Sequence, residues 1–145
     1  MFKHILIATD GSEVAQKAVG QGLALARALE AKALVVTVSE PWTAVMSGEM
    51  VVAFPIDEYE KGAAANAATV LASAIEIARK LGISCETFHV RDHYPAEGII
   101  ETAKSRGCDL IVMGSHGRRG LSRLLLGSQA NTVVTHSAVP VLICR

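Results

Sequence analysis

The residues of this chain best suited to chemistry are a set of spaced glycines and a Gly-Ser pair beyond them. Met113-Gly114-Ser115-His116-Gly117-Arg118-Arg119-Gly120 is followed, after six further residues, by Gly127-Ser128. As a spacing this is Gly-x-x-Gly, nine residues, then Gly-Ser. Glycines let backbone N–H groups approach anionic oxygens with no Cβ in the way, which makes the stretch suited to cradling phosphate. Gly127-Ser128 falls where a helix should begin, so its N–H groups and the helix dipole would aim at the same anion. The Ser128 hydroxyl could donate to a phosphate oxygen or ligate Mg²⁺, and Arg118 and Arg119 could add positive charge at the rim. The bland alternative is a glycine-rich β-to-α turn that binds nothing, with both arginines solvated. Its position between an apolar strand and a helix start weighs against that alternative.

Asp10 is the second candidate. It ends the first apolar run, in Ile7-Ala8-Thr9-Asp10-Gly11-Ser12. A carboxylate there could accept from a ribose or base, or hold a metal through water. It could equally cap the first helix or close an Asx turn, and the two roles can coexist.

The elements that must position these residues follow from periodicity. Short runs rich in β-branched residues (Lys3–Thr9, Ala33–Ser39, Ser84–Val90, Asp109–Met113 and Val139–Cys144) read as strands, most of them nearly continuous in apolar residues as doubly covered strands should be. Helical spacing recurs between them. Ala15, Ala18, Val19, Gly22, Leu25, Ala26 and Leu29 share a face after a Ser12 N-cap. Val70, Leu71, Ala74, Ile75, Ala78 and Leu81 share another within Ile56–Leu81, with Gly82 as its stop. Pro95 opens a third helix, with Ile99, Ile100 and Ala103 inward and Gly107 ending it. A fourth covers roughly Ser128–Thr135. The long segment Glu40–Pro55, with Trp42, Met46, Met50 and Phe54, shows no clear pattern, and a loop of that length is usually functional or mobile.

This alternation predicts an α/β fold: one domain over residues 1–145, with a doubly wound, five-stranded parallel sheet and helices on both faces, and the expected order is 3-2-1-4-5. Strands one and four are then neighbours where the order reverses, and ligands of such sheets sit at the carboxyl ends of the strands at that switch point. Asp10 and Gly114 would face each other across one crevice.

Composition narrows the function further. Half of the 145 residues are apolar, and 14 basic residues balance 14 acidic ones. A neutral chain lacks the basic excess that broad binding to nucleic acid or an anionic membrane needs. Cys85, Cys108 and Cys144 are too scattered for a metal or disulfide framework and suit a reducing, cytoplasmic setting. The apolar start is too short for a secretory signal, and the alanine-rich Gly62–Ala78 is broken by Asn66, Thr69, Ser73 and Glu76. His4, His89, His93, His116 and His136 show no pairing at metal spacing. His116, inside the glycine loop, could touch phosphate, but a structural or solvated role is the more common one for such a histidine, and the other four read as ordinary. Neither an ATPase P-loop nor a dinucleotide Gly-x-Gly-x-x-Gly is present. A phosphoacceptor receiver would carry a helix after the fifth strand, where this chain ends.

The opening Ile-Leu-Ile-Ala-Thr-Asp-Gly-Ser, the Leu110–Gly117 stretch and the closing Val139-Pro140-Val141-Leu142-Ile143 resemble the universal stress proteins, in the same element order throughout. The Gly-x-x-Gly-x9-Gly-Ser/Thr spacing resembles the ATP-binding branch of that family. The resemblance implies ATP, or AMP, as ligand, with Mg²⁺ bridging the phosphates. Ala8, Thr9 and Asp10 would line the adenosine pocket, and the Val38 backbone would meet the adenine edge. The phosphates would lie against Gly114, Ser115, His116, Gly117, Arg118, Arg119 and Gly120, then Gly127, Ser128 and Gln129, with Met113 beside them. It also implies a regulatory or stress-response homodimer, for which the fifth strand offers an exposed edge. One departure is Asp92-His93-Tyr94-Pro95, where relatives often carry a Gly-Asp-Pro-like turn. The alternatives are a slow ATPase or nucleotidyl-transfer enzyme on the same fold, or a nucleotide-free interaction module.

Overall fold

The structure, a computed structural model, describes residues 1–48, 54–117 and 126–145. Met50, Arg118, Arg119 and Gly120, all singled out above, lie outside the described residues.

Five parallel strands form one sheet: β1 (His4–Ala8), β2 (Lys32–Val38), β3 (Glu86–Val90), β4 (Leu110–Gly114) and β5 (Val141–Cys144). Their order is β3-β2-β1-β4-β5, as expected. Register is set by pairs such as Ile7 with Val35 on one side and Val112 on the other. The helices among the described residues are α1 (Glu13–Leu29), α2 (Trp42–Val45), α3 (Ile56–Leu81), α4 (Pro95–Ser105) and α5 (Ser128–His136).

Side-chain alternation along the strands divides the core in two. Ile5, Ile7, Val35 and Val112 face α1 and α3, meeting Val19, Leu23, Leu71 and Ala74. Leu6, Leu34, Val36 and Ile111 face α4 and α5, meeting Ile99, Ala103 and Val133. The central strands therefore have to be apolar at nearly every position, with the buried Thr37 an exception, which is why they read as almost continuous runs. β3, at an edge, alternates instead, and its half-exposed Phe88 lies under the Arg106 guanidinium, 4.4 Å from the ring centroid.

Differences from the sequence expectations are local. The Glu40–Pro55 segment is not patternless: it contains α2, and the Trp42 indole N–H donates to the Phe54 carbonyl at 3.0 Å. Ile75 is half exposed rather than buried. The inward stripe of α3 runs through Ala67, Val70, Leu71, Ala74 and Ala78, and at 100° per residue Ile75 falls just outside it. β5 starts at Val141, not Val139, because the Ser137 hydroxyl accepts from the Val139 N–H (3.1 Å) and donates to its carbonyl (2.8 Å), holding Val139 in a turn. The departure at Asp92 is accommodated by its backbone: Asp92 has φ 57°, a left-handed conformation that aspartate tolerates better than most residues. No helix among the described residues is long and apolar enough to cross a membrane.

Candidate functional site

The carboxyl ends of β1 and β4 open a cleft of about 350 Å³, at the point where the strand order reverses. That volume lies within the range of small-molecule pockets. Its floor is apolar (Ala8, Val36, Val38, Ile99 and Met113), and its rim carries Thr9, Asp10, Glu40, His116, Ser128 and Gln129. Gly114, Gly117 and Gly127 complete the wall on the β4 side.

The β1 end turns sharply. Asp10 Oδ1 accepts from the Ser12 N–H at 2.9 Å, an Asx turn, and the Ser12 hydroxyl then caps α1 through the Ala15 N–H at 3.3 Å. Asp10 thus serves the turn and lines the cleft at once, and the helix cap itself belongs to Ser12. Its second oxygen lies over Gly117: a Cβ on Gly117 would run into Asp10 Oδ2. The glycine is required by this close approach.

Two segments far apart in sequence meet on the other wall. The Gly127 N–H donates to the Ser115 carbonyl at 2.7 Å. A Cβ on Gly127 would stand 3.0 Å from both that carbonyl and the His116 Cα, so only glycine lets the segments touch. Gly127 is also the N-cap of α5, and no side chain caps that helix. The first N–H groups of α5, from Ser128 onward, have no acceptor within the helix. They sit in the cleft wall, where Ser128, Gln129 and Ala130 are all lining residues.

Val38 supplies a different kind of donor and acceptor. Along a strand, the N–H and C=O of one residue point to the same side and alternate with those of the next. The Val36 carbonyl faces β1, accepting from the Thr9 N–H at 2.9 Å, and the Ser39 N–H faces β3, donating to the Val90 carbonyl at 2.9 Å. Val38 therefore presents both backbone groups toward the β1 side, beyond Ala8–Val36, the last β1–β2 pair.

The cleft thus brings together Ala8, Thr9, Asp10, Val38, Met113, Gly114, His116, Gly117, Gly127, Ser128 and Gln129 from the sequence-predicted set. Ser115 is not among its lining residues. Its side chain is buried and bonds the His116 Nδ1 at 3.1 Å, while its N–H donates to the Cys144 carbonyl at 2.7 Å. It is a strut of the wall. Gln129 is partly committed: its side-chain oxygen accepts from the Ala96 N–H at 3.0 Å, capping α4 from α5. Sequence reasoning missed Ala15, Val36, Glu40, Pro95, Ile99 and Ala130. Only Pro95 carried a local signal, as the opening of a helix beside the sheet. Glu40 is held at the rim from α3, by the Tyr59 hydroxyl donating to its carbonyl at 2.7 Å. Partial burial, with the Glu40 carboxylate nearby, raises the Tyr59 pKa above the ordinary phenol value.

Comparison with known proteins places this architecture. Residues 1–145 match the universal stress protein family. The chain is 34% identical over 149 residues to universal stress protein YxiE of Bacillus subtilis, with both chains covered completely. It is 37% identical over 145 residues to a universal stress protein of Thermus aquaticus, again over the full length of both. Among solved structures, that of hypothetical protein MJ0577, from Methanocaldococcus jannaschii, superposes with a TM-score of 0.82 at 28% identity, covering 99% of this chain and 96% of that one. The fold is shared with a universal stress protein solved in complex with cAMP (TM-score 0.71, 24% identity, 99% and 97% covered). It is shared as well with one from Archaeoglobus fulgidus in complex with dAMP (TM-score 0.69, 20% identity, 100% and 98% covered). On sequence over its whole length and on fold, the chain belongs to the universal stress protein family.

Proposed function

We propose that this chain is a single-domain protein that binds an adenine nucleotide, ATP or AMP, and acts as a regulatory, stress-response dimer in the cytoplasm. The observation that carries the nucleotide is the 2.7 Å bond from the Gly127 N–H to the Ser115 carbonyl. It joins the glycine stretch to the uncapped start of α5, so the two segments form one wall of the cleft. The apolar floor suits a base, the Val38 backbone groups its polar edge, and Asp10 with Thr9 the ribose. Phosphates would lie against Gly114, His116, Gly117, Gly127 and Ser128, with Arg118, Arg119 and Gly120 from the same stretch. The donor set fits an anion: it is built of N–H groups and a helix N-terminus, with the Ser128 hydroxyl available to Mg²⁺. That two proteins of this fold were solved with cAMP and dAMP supports an adenine nucleotide.

Among the described residues, the wall proposed for the phosphates is made chiefly of backbone and glycine, a makeup suited to binding. Calorimetric titration of ATP with Mg²⁺, and of AMP, tests the proposal. One nucleotide per chain is expected, with phosphate release well below the roughly 1 per second of ordinary enzymes. Absence of heat with either nucleotide would leave an interaction module as the better account, and rapid phosphate release an enzyme.

The dimer proposal rests on β5. It is an edge strand paired only with β4, and its Leu142 is exposed. Pairing with β5 of a second copy across a two-fold axis would satisfy its unpaired backbone groups and cover that side chain.

A further inference from the structure

A second convergence of polar side chains lies outside the cleft, where the β3–α4 turn meets the first turns of α4. His93, two residues ahead of the helix, is followed at four-residue intervals by Glu97 and Glu101. One ligand atom from each of the three lies within 4.8 Å of the other two. Two features of the histidine set this group apart from an ordinary acidic helix face. Its Nδ1 is 2.6 Å from the Arg91 carbonyl oxygen. A carbonyl can only accept, so that nitrogen carries the ring proton, and in the neutral imidazole Nε2 is a lone pair. That lone pair faces Glu101 Oε2 at 3.2 Å, itself an acceptor. Glu97 and Glu101, four residues apart on one helix face, repel each other as well. A protonated ring makes an ion pair of the His93–Glu101 contact; with the ring neutral, three electron-rich groups lie close together, and a cation shared among them removes the repulsion.

We propose that His93, Glu97 and Glu101 form a three-ligand site for a zinc-class divalent cation. The chemistry of the donors selects the ion: one imidazole and two carboxylates suit zinc and its borderline neighbours, whereas magnesium and calcium take oxygen ligands. Zinc–nitrogen and zinc–oxygen bonds of about 2.0–2.1 Å put tetrahedral ligands about 3.4 Å apart, close to the 3.2 Å between Nε2 and Oε2. A Nδ1–H donated to a backbone carbonyl is the usual support of a metal-bound histidine, fixing its tautomer and ring plane. The backbone helps too: Gly98 comes so near that a Cβ there would stand 3.2 Å from the His93 Cβ, which seats the ring against the first turn. With three protein ligands, a fourth position stays available to water or to a donor from a partner molecule. The bridge would tie together the start of α4, whose Pro95 and Ile99 line the nucleotide cleft.

Protonation of the ring gives the His93–Glu101 ion pair in place of a metal bridge. The His93 pKa is raised, first by its bond to the Arg91 carbonyl and further by the Glu101 and Glu97 carboxylates that face it. Metal and proton therefore compete, and the test belongs at mildly alkaline pH. The detectable signal was His-x3-Glu-x3-Glu running into a helix start.

The experiment titrates the purified full-length chain with Co²⁺, followed by visible absorption, then displaces it with Zn²⁺, while the His93 ring nitrogens are followed by NMR. One equivalent is expected, with the Nε2 resonance moving on binding. His93→Gln and Glu101→Gln, at partly or fully exposed side chains, should each weaken binding by about tenfold or more, the scale of loss seen even for outer partners of metal ligands. ATP binding by the same variants should stay unchanged, which separates this site from the nucleotide proposal. Stoichiometric binding that survives His93→Gln, an unmoved Nε2 resonance, or no binding at all would overturn it.

Discussion

At the scale of single residues, the cleft works through what is missing from its walls. Gly117 has no Cβ where Asp10 Oδ2 sits, and Gly127 has none where the Ser115 carbonyl comes within hydrogen-bond reach of its N–H. Gly117→Val should drive the Asp10 carboxylate and the glycine stretch apart and weaken ATP binding by about a hundredfold, ~2.7 kcal/mol, with thermal unfolding showing the fold retained. Wild-type affinity in a folded variant would refute the proposed phosphate cradle. The glycine spacing was legible in the sequence. That Asp10 would press against Gly117 was not, since one carboxylate can close its own turn without reaching anything else. Histidine behaviour was equally illegible. His89 lies on edge strand β3, yet its Nε2 bonds the Ser39 hydroxyl at 2.8 Å, and desolvation first, then the Arg91 charge, lowers its pKa below the ordinary 6.5. Below that ordinary value the unfolded chain takes up a proton that the folded chain resists, so His89 costs stability as pH falls from about 7 towards 5. His89→Gln should flatten part of the fall in urea midpoint over that interval. An unchanged slope would show that His89 titrates as in the unfolded chain.

Between whole elements, close approach rather than propensity decides the packing. α1 lies over β1 and β4 with Gly22 at the crossing, where a Cβ would meet the Ile7 side chain at 2.8 Å and Val112 Cγ1 at 3.3 Å. Ile7 and Val112 are fully buried, so neither can swing aside into solvent. Gly22→Val should therefore destabilise by about 2 kcal/mol despite replacing a poor helix former, read as a lower urea midpoint at unchanged slope. A midpoint equal to the wild type would mean that α1 stands further from the sheet. Helix periodicity in the sequence identified the inward faces of α1, α3 and α4, because each inward residue repeats at 3.6-residue spacing. It overran at Ile75, an apolar residue at the stripe's margin that is half exposed. It also gave no sign of α2, whose four residues are too few to show a period.

For the molecule as a whole, the sheet has two open edges and treats them differently. β3 carries alternating polar residues and a guanidinium over Phe88, a protected edge. β5 is short and leaves Leu142 exposed. If two copies join there, Leu142→Glu should bring like charges face to face across the axis and shift sedimentation from dimer to monomer. A variant dimer as tight as the wild type would place the contact elsewhere. Each strand-edge feature is visible in the sequence only once strand order is known.

The sequence by itself determined a parallel, doubly wound sheet and the two-sided core, because continuous apolar strands alternating with amphipathic helices can bury their surfaces in few ways. It also marked the glycines and Asp10, whose backbone geometry is a local property. Tertiary structure alone decided which distant groups share a wall. Ser115 became a strut, Gln129 bonded α4, and Glu40 and Ile99 entered the cleft. Such contacts depend on how helices settle on a twisted sheet, and no spacing along the chain encodes that distance.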